Sequence, residues 1–196
     1  MKTPILVTCI LAFAIAIVSA RPVSDGRGWF PAGSNPKDYK MEITTSVHHS
    51  GTKAAMIQYT AATEPSGFGT FMQMHKPGEW AGKKLKMTAY VKTENIIDWC
   101  GMWCRVDAAG GKGSFDFDNM GDRPIKGTTD WKKYEIIVNV PKDAEAVAYG
   151  VLVSGKGTAY FDDVTFEVLG PADAEPYNNA SKSKMSDKPE NLNFEN

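Results

Sequence analysis

The chain has 196 residues, 42% of them hydrophobic and 23% charged, which suits one domain with a real core and excludes wholesale disorder. Its 22 basic and 23 acidic residues give a formal net charge of -1. The lack of a basic excess to neutralise phosphates argues against nucleic acid and anionic membrane as main partners.

The first 20 residues read as a signal peptide. Lys2 gives a positive start, residues 5–18 are apolar, and Val18-Ser19-Ala20 supplies small residues for cleavage. As a helix this run rises only about 21 Å, short of a hydrocarbon core of roughly 30 Å, although an uncleaved anchor is the other reading. The expected location is therefore secreted or periplasmic, with no membrane contact after cleavage. Residues 21–28 are a short linker.

From 29 to 169 the pattern is short alternating segments broken by glycine, proline and Asx turns, the signature of a two-sheet antiparallel β-sandwich. Strands are expected at 39–44, 53–59, 70–75, 84–92, 99–106, 114–118, 134–140, 147–153 and 160–168. No window outside the signal makes a convincing amphipathic helix, which argues against parallel βαβ folds. Residues 170–189 are rich in Ala, Ser, Asn, Lys and Asp and read as a flexible tail carrying a formal glycosylation sequon at Asn179. Cys100 and Cys104, four apart on one strand, would lie about 13 Å apart, too far for a disulfide, so they read as reduced core thiols.

The motifs that suggest catalysis are weak. Gly150 to Lys156 spells G-x-x-x-x-G-K, but Gly157 replaces the hydroxyl residue and a strand follows, so it reads as a turn. Asp116 and Asp118 share one side of a strand at roughly 7 Å, and His48 and His49 are adjacent and diverge; neither pair comes with a recognisable catalytic partner. A polysaccharide lyase would need a base beside a charge-neutralising arginine, and His75 with Arg105 is the one pair that could be nominated.

The aromatic residues say more. By strand parity Trp99, Trp103, Arg105 and Asp107 face one side, and Cys100, Met102, Cys104 and Val106 the other, which looks like core. On 70–75, Met72 and Met74 are expected inward and Phe71, Gln73 and His75 outward. Rings mixed with a few long polar side chains suit a flat pyranose, which stacks on rings and bonds through its hydroxyls. The other reading is a second small core under a loop.

The runs His49-Ser50-Gly51-Thr52-Lys53-Ala54-Ala55-Met56, Trp131-Lys132-Lys133-Tyr134 and Gly155-Lys156-Gly157-Thr158-Ala159-Tyr160-Phe161-Asp162-Asp163-Val164 resemble galactose-binding-like jelly rolls. They are similar in particular to the carbohydrate-binding modules of xylanases and related glycosidases. The resemblance implies one sheet from the strands near 55, 87, 136 and 163, and another from those near 72, 103, 116 and 150. It implies a sugar cleft on the second sheet's outer surface, placing Gln73, Trp99, Trp103 and Arg105 there, with Asp118, Asn119, Asp122 and Arg123 in a loop at one end. It also implies a structural calcium near the closing strand, with Asp162 as a ligand.

The expected function is non-catalytic binding of a polysaccharide or glycan. The alternatives are a protein-interaction or sensor module on the same face, and a jelly-roll lyase. Finally, residues 190–196 (Glu-Asn-Leu-Asn-Phe-Glu-Asn) resemble the opening strand of such modules, while Gly28-Trp29 has no such strand before it. The segment reads as a first edge strand moved to the C-terminus, a circular permutation with Leu192 and Phe194 inward. A disordered end, the stub of a lost repeat and a strand donated to a neighbouring molecule are the other readings.

Overall fold

The computed structural model describes residues 27–173 and 188–195. The expected signal peptide, most of the expected linker and most of the expected tail, including Asn179, lie outside the described residues. Nine strands follow one another: β1 (Phe30–Gly33), β2 (Tyr39–Thr44), β3 (Ala54–Tyr59), β4 (Phe68–His75), β5 (Lys83–Ala108), β6 (Ser114–Asp118), β7 (Ile125–Val140), β8 (Ala144–Ser154) and β9 (Thr158–Pro171). Every pairing is antiparallel.

The sheet order is β1-β4-β8-β5-β9-β3-β2, with β6 and β7 also paired to β5. β5 joins the two layers of the jelly roll. Its first half, around Leu85 to Val91, pairs with β7 and β9. Its second half, Trp99 to Val106, pairs with β8 and β6. The first sheet is therefore β2, β3, β9, the start of β5 and β7; the second is β1, β4, β8, the end of β5 and β6.

The two strands expected at 84–92 and 99–106 are one continuous element. Its register shifts between Val91 and Cys100 and its positive φ of 53° at Asn95 bend it from one sheet into the other. β1 was not foreseen, because Pro31 and Gly33 make its sequence read as a turn.

Between the sheets lies the main core. Leu85, Met87, Ala89 and Val91 face it from the first half of β5, and Cys100, Met102, Cys104 and Val106 from the second. The alternation expected for both halves is thus present. Cys100 and Cys104 are free and fully buried, and burial pushes both thiols far up from their ordinary range. The folded protein should resist alkylation at Cys100 and Cys104 and the denatured protein should take up one equivalent at each; a disulfide between them would contradict the regular strand.

The C-terminal segment completes this core. Phe194 is fully buried, its ring 5.1 Å from that of Trp29 and 5.3 Å from that of Phe161, and Leu192 packs beside it. The Trp29 indole donates to the Asn191 carbonyl at 3.1 Å, and the Val164 amide donates to that of Leu192 at 3.3 Å. The Glu195 carboxylate accepts from the Thr52 hydroxyl and amide, both at 2.6 Å, and from the Lys53 amide at 2.8 Å. Those donors, the hydroxyl first, hold its pKa below the usual carboxylate range.

The segment packs on its own chain, but it is not a strand. It runs as turns, with φ of 44° at Asn191 and 60° at Phe194. The inward placement of Leu192 and Phe194 comes from these turns, not from strand parity.

Candidate functional site on the outer face of the second sheet

Register lines up the side chains on the outer surface of the second sheet. One row crosses it as Phe30, Met72, Gly150 and Trp103; the next as Met74, Ala148, Arg105 and Phe117. On and beside these rows lies a second apolar cluster, in which Ala32, Met72, Trp103, Ala148 and Leu152 are buried and Phe30, Phe68, Met74 and Trp99 pack at the margin.

Trp103 faces outward as its parity predicts, yet only 5% of it is exposed. Its indole N–H donates to Thr70 Oγ1 at 2.8 Å, and that hydroxyl donates to the Val151 carbonyl at 2.7 Å. The ring therefore lies down on the sheet, in register with Gly150, where a Cβ would collide with the Phe71 carbonyl oxygen. Arg105 lies next along the strand. Its guanidinium binds the Asp107 carboxylate through two bonds of 2.5 and 3.0 Å, which fixes a donor fork at the edge of the cluster. Phe117, 41% exposed, stands opposite Arg105 on β6.

A shallow depression between Ala32, Phe68, Thr70, Trp103, Arg105 and Phe117 encloses only about 20 Å3, roughly one water's worth. A ring can lie across this surface but cannot enter it.

Gln73 is not on this face. It is 3% exposed and points between the sheets, where its amide donates to the Glu190 carbonyl and accepts from the Glu190 amide at 3.2 Å and the Tyr149 hydroxyl at 3.0 Å. The parity expected for this strand is reversed: Phe71, Gln73 and His75 face inward, and Met72 and Met74 outward. Both faces of β4 are covered by apolar residues, so alternation alone could not tell them apart.

The loop residues form a knot at the Trp99 end. Arg123 pairs with Asp118 at 2.6 Å and Asp122 at 2.8 Å, and Asp118 also accepts from the Met120 amide at 2.8 Å. The Asn119 side chain accepts from the Gly121 amide at 3.0 Å. The Asn119 carbonyl passes 2.8 Å from where a side chain at Gly101 would start, so the loop lies close against β5 there. Phe30, Phe68, Thr70, Phe117 and Leu152 are the residues that sequence reasoning missed. Phe117 was within reach, because Asp116 and Asp118 sharing one side puts it on the other.

Asp162 is fully buried near the His49–Ser50 turn. Its carboxylate accepts backbone N–H bonds from His49 at 2.9 Å, Ser50 at 3.1 Å and Asp163 at 2.7 Å, while burial, the larger effect, raises its pKa. A calcium ion needs six to eight oxygen ligands. Among the described residues no group of three or more His, Cys, Asp or Glu gathers to hold a metal. This donor-filled carboxylate does not fit the calcium that the resemblance implies.

His75 and Arg105, the pair a lyase would need, are on opposite faces of the sheet. His75 is 2% exposed against Trp80 and Tyr149; its Nδ1–H donates to the Lys76 carbonyl at 2.6 Å, and Nε2 has no partner. Burial lowers its pKa. The unfolded chain therefore takes up a proton near pH 6.5 while the folded one still refuses it, so stability falls as pH drops below about 6.5. Urea unfolding between pH 7.5 and 5 should show this fall, and His75→Phe should flatten it. An unchanged slope in the variant would assign the loss to other groups.

No family model matches the chain. Among solved structures, the CBM22-1 xylan-binding domain of Paenibacillus barcinonensis Xyn10C superposes with a TM-score of 0.52 at 14% identity, over 75% of this chain and 89% of that one. The fold is a galactose-binding-like jelly roll, similar to the carbohydrate-binding modules of xylanases. The CBM22-1–GH10 modules of Clostridium thermocellum xylanase 10B, solved with xylohexaose, give 0.54 at 16% identity, over 73% of this chain and 26% of that one. The enzymatically active domain of bacteriophage CBA120 tailspike protein 4 gives 0.57 at 13%, over 72% and 19%. A curated relative, the uncharacterized HTH-type transcriptional regulator YbfP of Bacillus subtilis (strain 168), is 34% identical over 170 residues. That match takes in 86% of this chain, which spans only 57% of the relative's length.

Proposed function

We propose that this is a secreted, non-catalytic carbohydrate-binding protein that holds a glycan across the outer face of its second sheet. The observation that carries the reading is the juxtaposition of Phe117, Phe68 and the edge of Trp103 with the Arg105–Asp107 pair on that face. Aromatic surfaces stack on the C–H faces of sugar rings, and a fixed guanidinium and carboxylate bond the hydroxyls. The fold agrees with this, since its neighbours include domains named for xylan binding. The separation of His75 from Arg105 leaves the lyase reading without its pair.

A glycan array with a parallel ultraviolet assay on uronate polymers tests the proposal. Retention on a glycan without product is the expected result. Retention on no glycan overturns it, and new ultraviolet absorbance would restore a lyase.

The 34% identity to a regulator favours a second reading, a sensor module. Only β-strands and short 3-10 turns occur among the described residues, so what the two proteins share is not the helix-turn-helix for which the relative is named. In such a protein the same jelly roll would serve as the ligand-binding part. Retention of a mono- or disaccharide in preference to polymer would favour it.

A further inference from the structure

Where β5 bends between the sheets, a second concavity opens at the loop end of the sandwich. It is lined by Glu64, Ser66, Ile97, Asp98, Ser154 and Lys156 and holds about 640 Å3, against about 20 Å3 on the sheet face. That volume lies within the ordinary range of ligand pockets.

Its walls are fixed in advance. The Tyr39 hydroxyl sits 3.0 Å from the Gly67 carbonyl and 3.2 Å from that of Gly155, so one phenol ties two loops together. Burial pushes its pKa up to about 12, which keeps it a donor. The Asn35 amide donates to the Ser66 carbonyl and hydroxyl at 3.0 and 2.9 Å, and the Ile97 amide donates to the Lys156 carbonyl at 3.0 Å. Gly155 has φ of 81°, and a Cβ there would come within 2.7 Å of Asp98 Cβ, so the β8–β9 turn lies tight against β5.

The lining has one apolar surface and several polar ones. Ile97 is 71% exposed, more than any other large hydrophobic side chain among the described residues. Around it stand the Asp98 carboxylate, accepting from the Ser154 hydroxyl at 2.6 Å, and the Lys156–Glu64 ion pair at 2.8 Å. The basin is continuous with the sheet face, because Phe68, Ser154 and Trp99 are paired in one row across β4, β8 and β5. From Arg105 to Ile97 is eight strand residues, at most about 26 Å.

From this arrangement we infer that the loop-end basin is a second subsite for the same ligand, seating a terminal ring of a polyhydroxylated chain that lies across the sheet face. Ile97 supplies the apolar contact, and Asp98, Ser154 and Lys156 bond the hydroxyls. The inference rests on the carbohydrate reading above. It deepens that reading by making ligand length the source of affinity.

Calorimetry with xylotriose and xylohexaose tests it on the full chain, with Ile97→Ser and Glu64→Ala as variants of the basin and Arg105→Ala as control of the face. The native protein should bind xylohexaose about tenfold more tightly than xylotriose, a difference of about 1.4 kcal/mol. Ile97→Ser should bring the hexaose down to the affinity of the triose and leave the triose unchanged, whereas Arg105→Ala should weaken both. A length preference that survives in Ile97→Ser and Glu64→Ala overturns the subsite and leaves the sheet-face reading standing. Failure of the native protein to bind either sugar overturns both.

Discussion

Truncation after Pro189 lowers the melting temperature by at least about 6 °C, because the C-terminal segment is part of the core and not an appendage. Phe194 is fully buried and meets Trp29 and Phe161. Removing such a phenylalanine costs about 3–5 kcal/mol, and in a domain of this size each kcal/mol moves the midpoint by about 2–4 °C. The truncation also leaves the Trp29 indole and the Val164 amide without the carbonyls of Asn191 and Leu192. Phe194→Ala isolates the ring from those hydrogen bonds and should account for most of the loss. Identical melting curves for truncated and intact protein would show that the segment does not dock in solution.

Trp103→Ala should cost about 3–5 kcal/mol of stability, since a nearly covered tryptophan leaves a cavity and orphans its partner. The sequence alone suggests the opposite: an outward tryptophan whose loss spares folding and abolishes binding. The structure assigns it to the floor of the face, bonded to Thr70 and packed in one apolar cluster with Met72 and Leu152. Phe117→Ala is the cleaner probe, because its ring is already 41% exposed. It should leave the melting temperature nearly unchanged and weaken glycan binding by the stacking contribution of about 0.5–1.5 kcal/mol. If Trp103→Ala melts like the native protein, the ring is not packed as described.

Much of the fold was legible in the residues. Strand 39–44 and strand 114–118 fall where alternation puts them, and the division into two sheets follows the resemblance. Alternation worked where one face is apolar and the other polar, as along Lys84 to Lys92. It failed on β4, where Phe71 lines the main core and Met72 the outer cluster, so both faces look buried. Gln73 misled further, because its burial is compensated by Tyr149 and Glu190, residues 76 and 117 positions away.

The continuity of β5 was hidden as well. Thr93-Glu94-Asn95 reads as a loop, and only pairing to both β7 and β9 shows that the chain crosses there without leaving the sheet. The inward pair Leu192 and Phe194 was legible through the motif, but the edge strand expected there is a set of turns, held by contacts with Trp29, Val164 and Thr52.

The candidate site was legible in part. Trp99, Trp103 and Arg105 share the outer face of the second sheet, as parity on one strand expects, whereas Phe30, Phe68 and Leu152 join them only through register between strands. The central claim is that this face meets the glycan, and amide chemical-shift mapping with xylohexaose on the full chain tests it most directly. The account predicts shifts concentrated at residues 68–70, 103–107, 117 and 150–154, with further shifts at 97, 98 and 156 if the basin is also filled. Shifts concentrated instead on the opposite sheet, around Lys86, Glu135 and Ile137, or no shifts at saturating sugar, would contradict it.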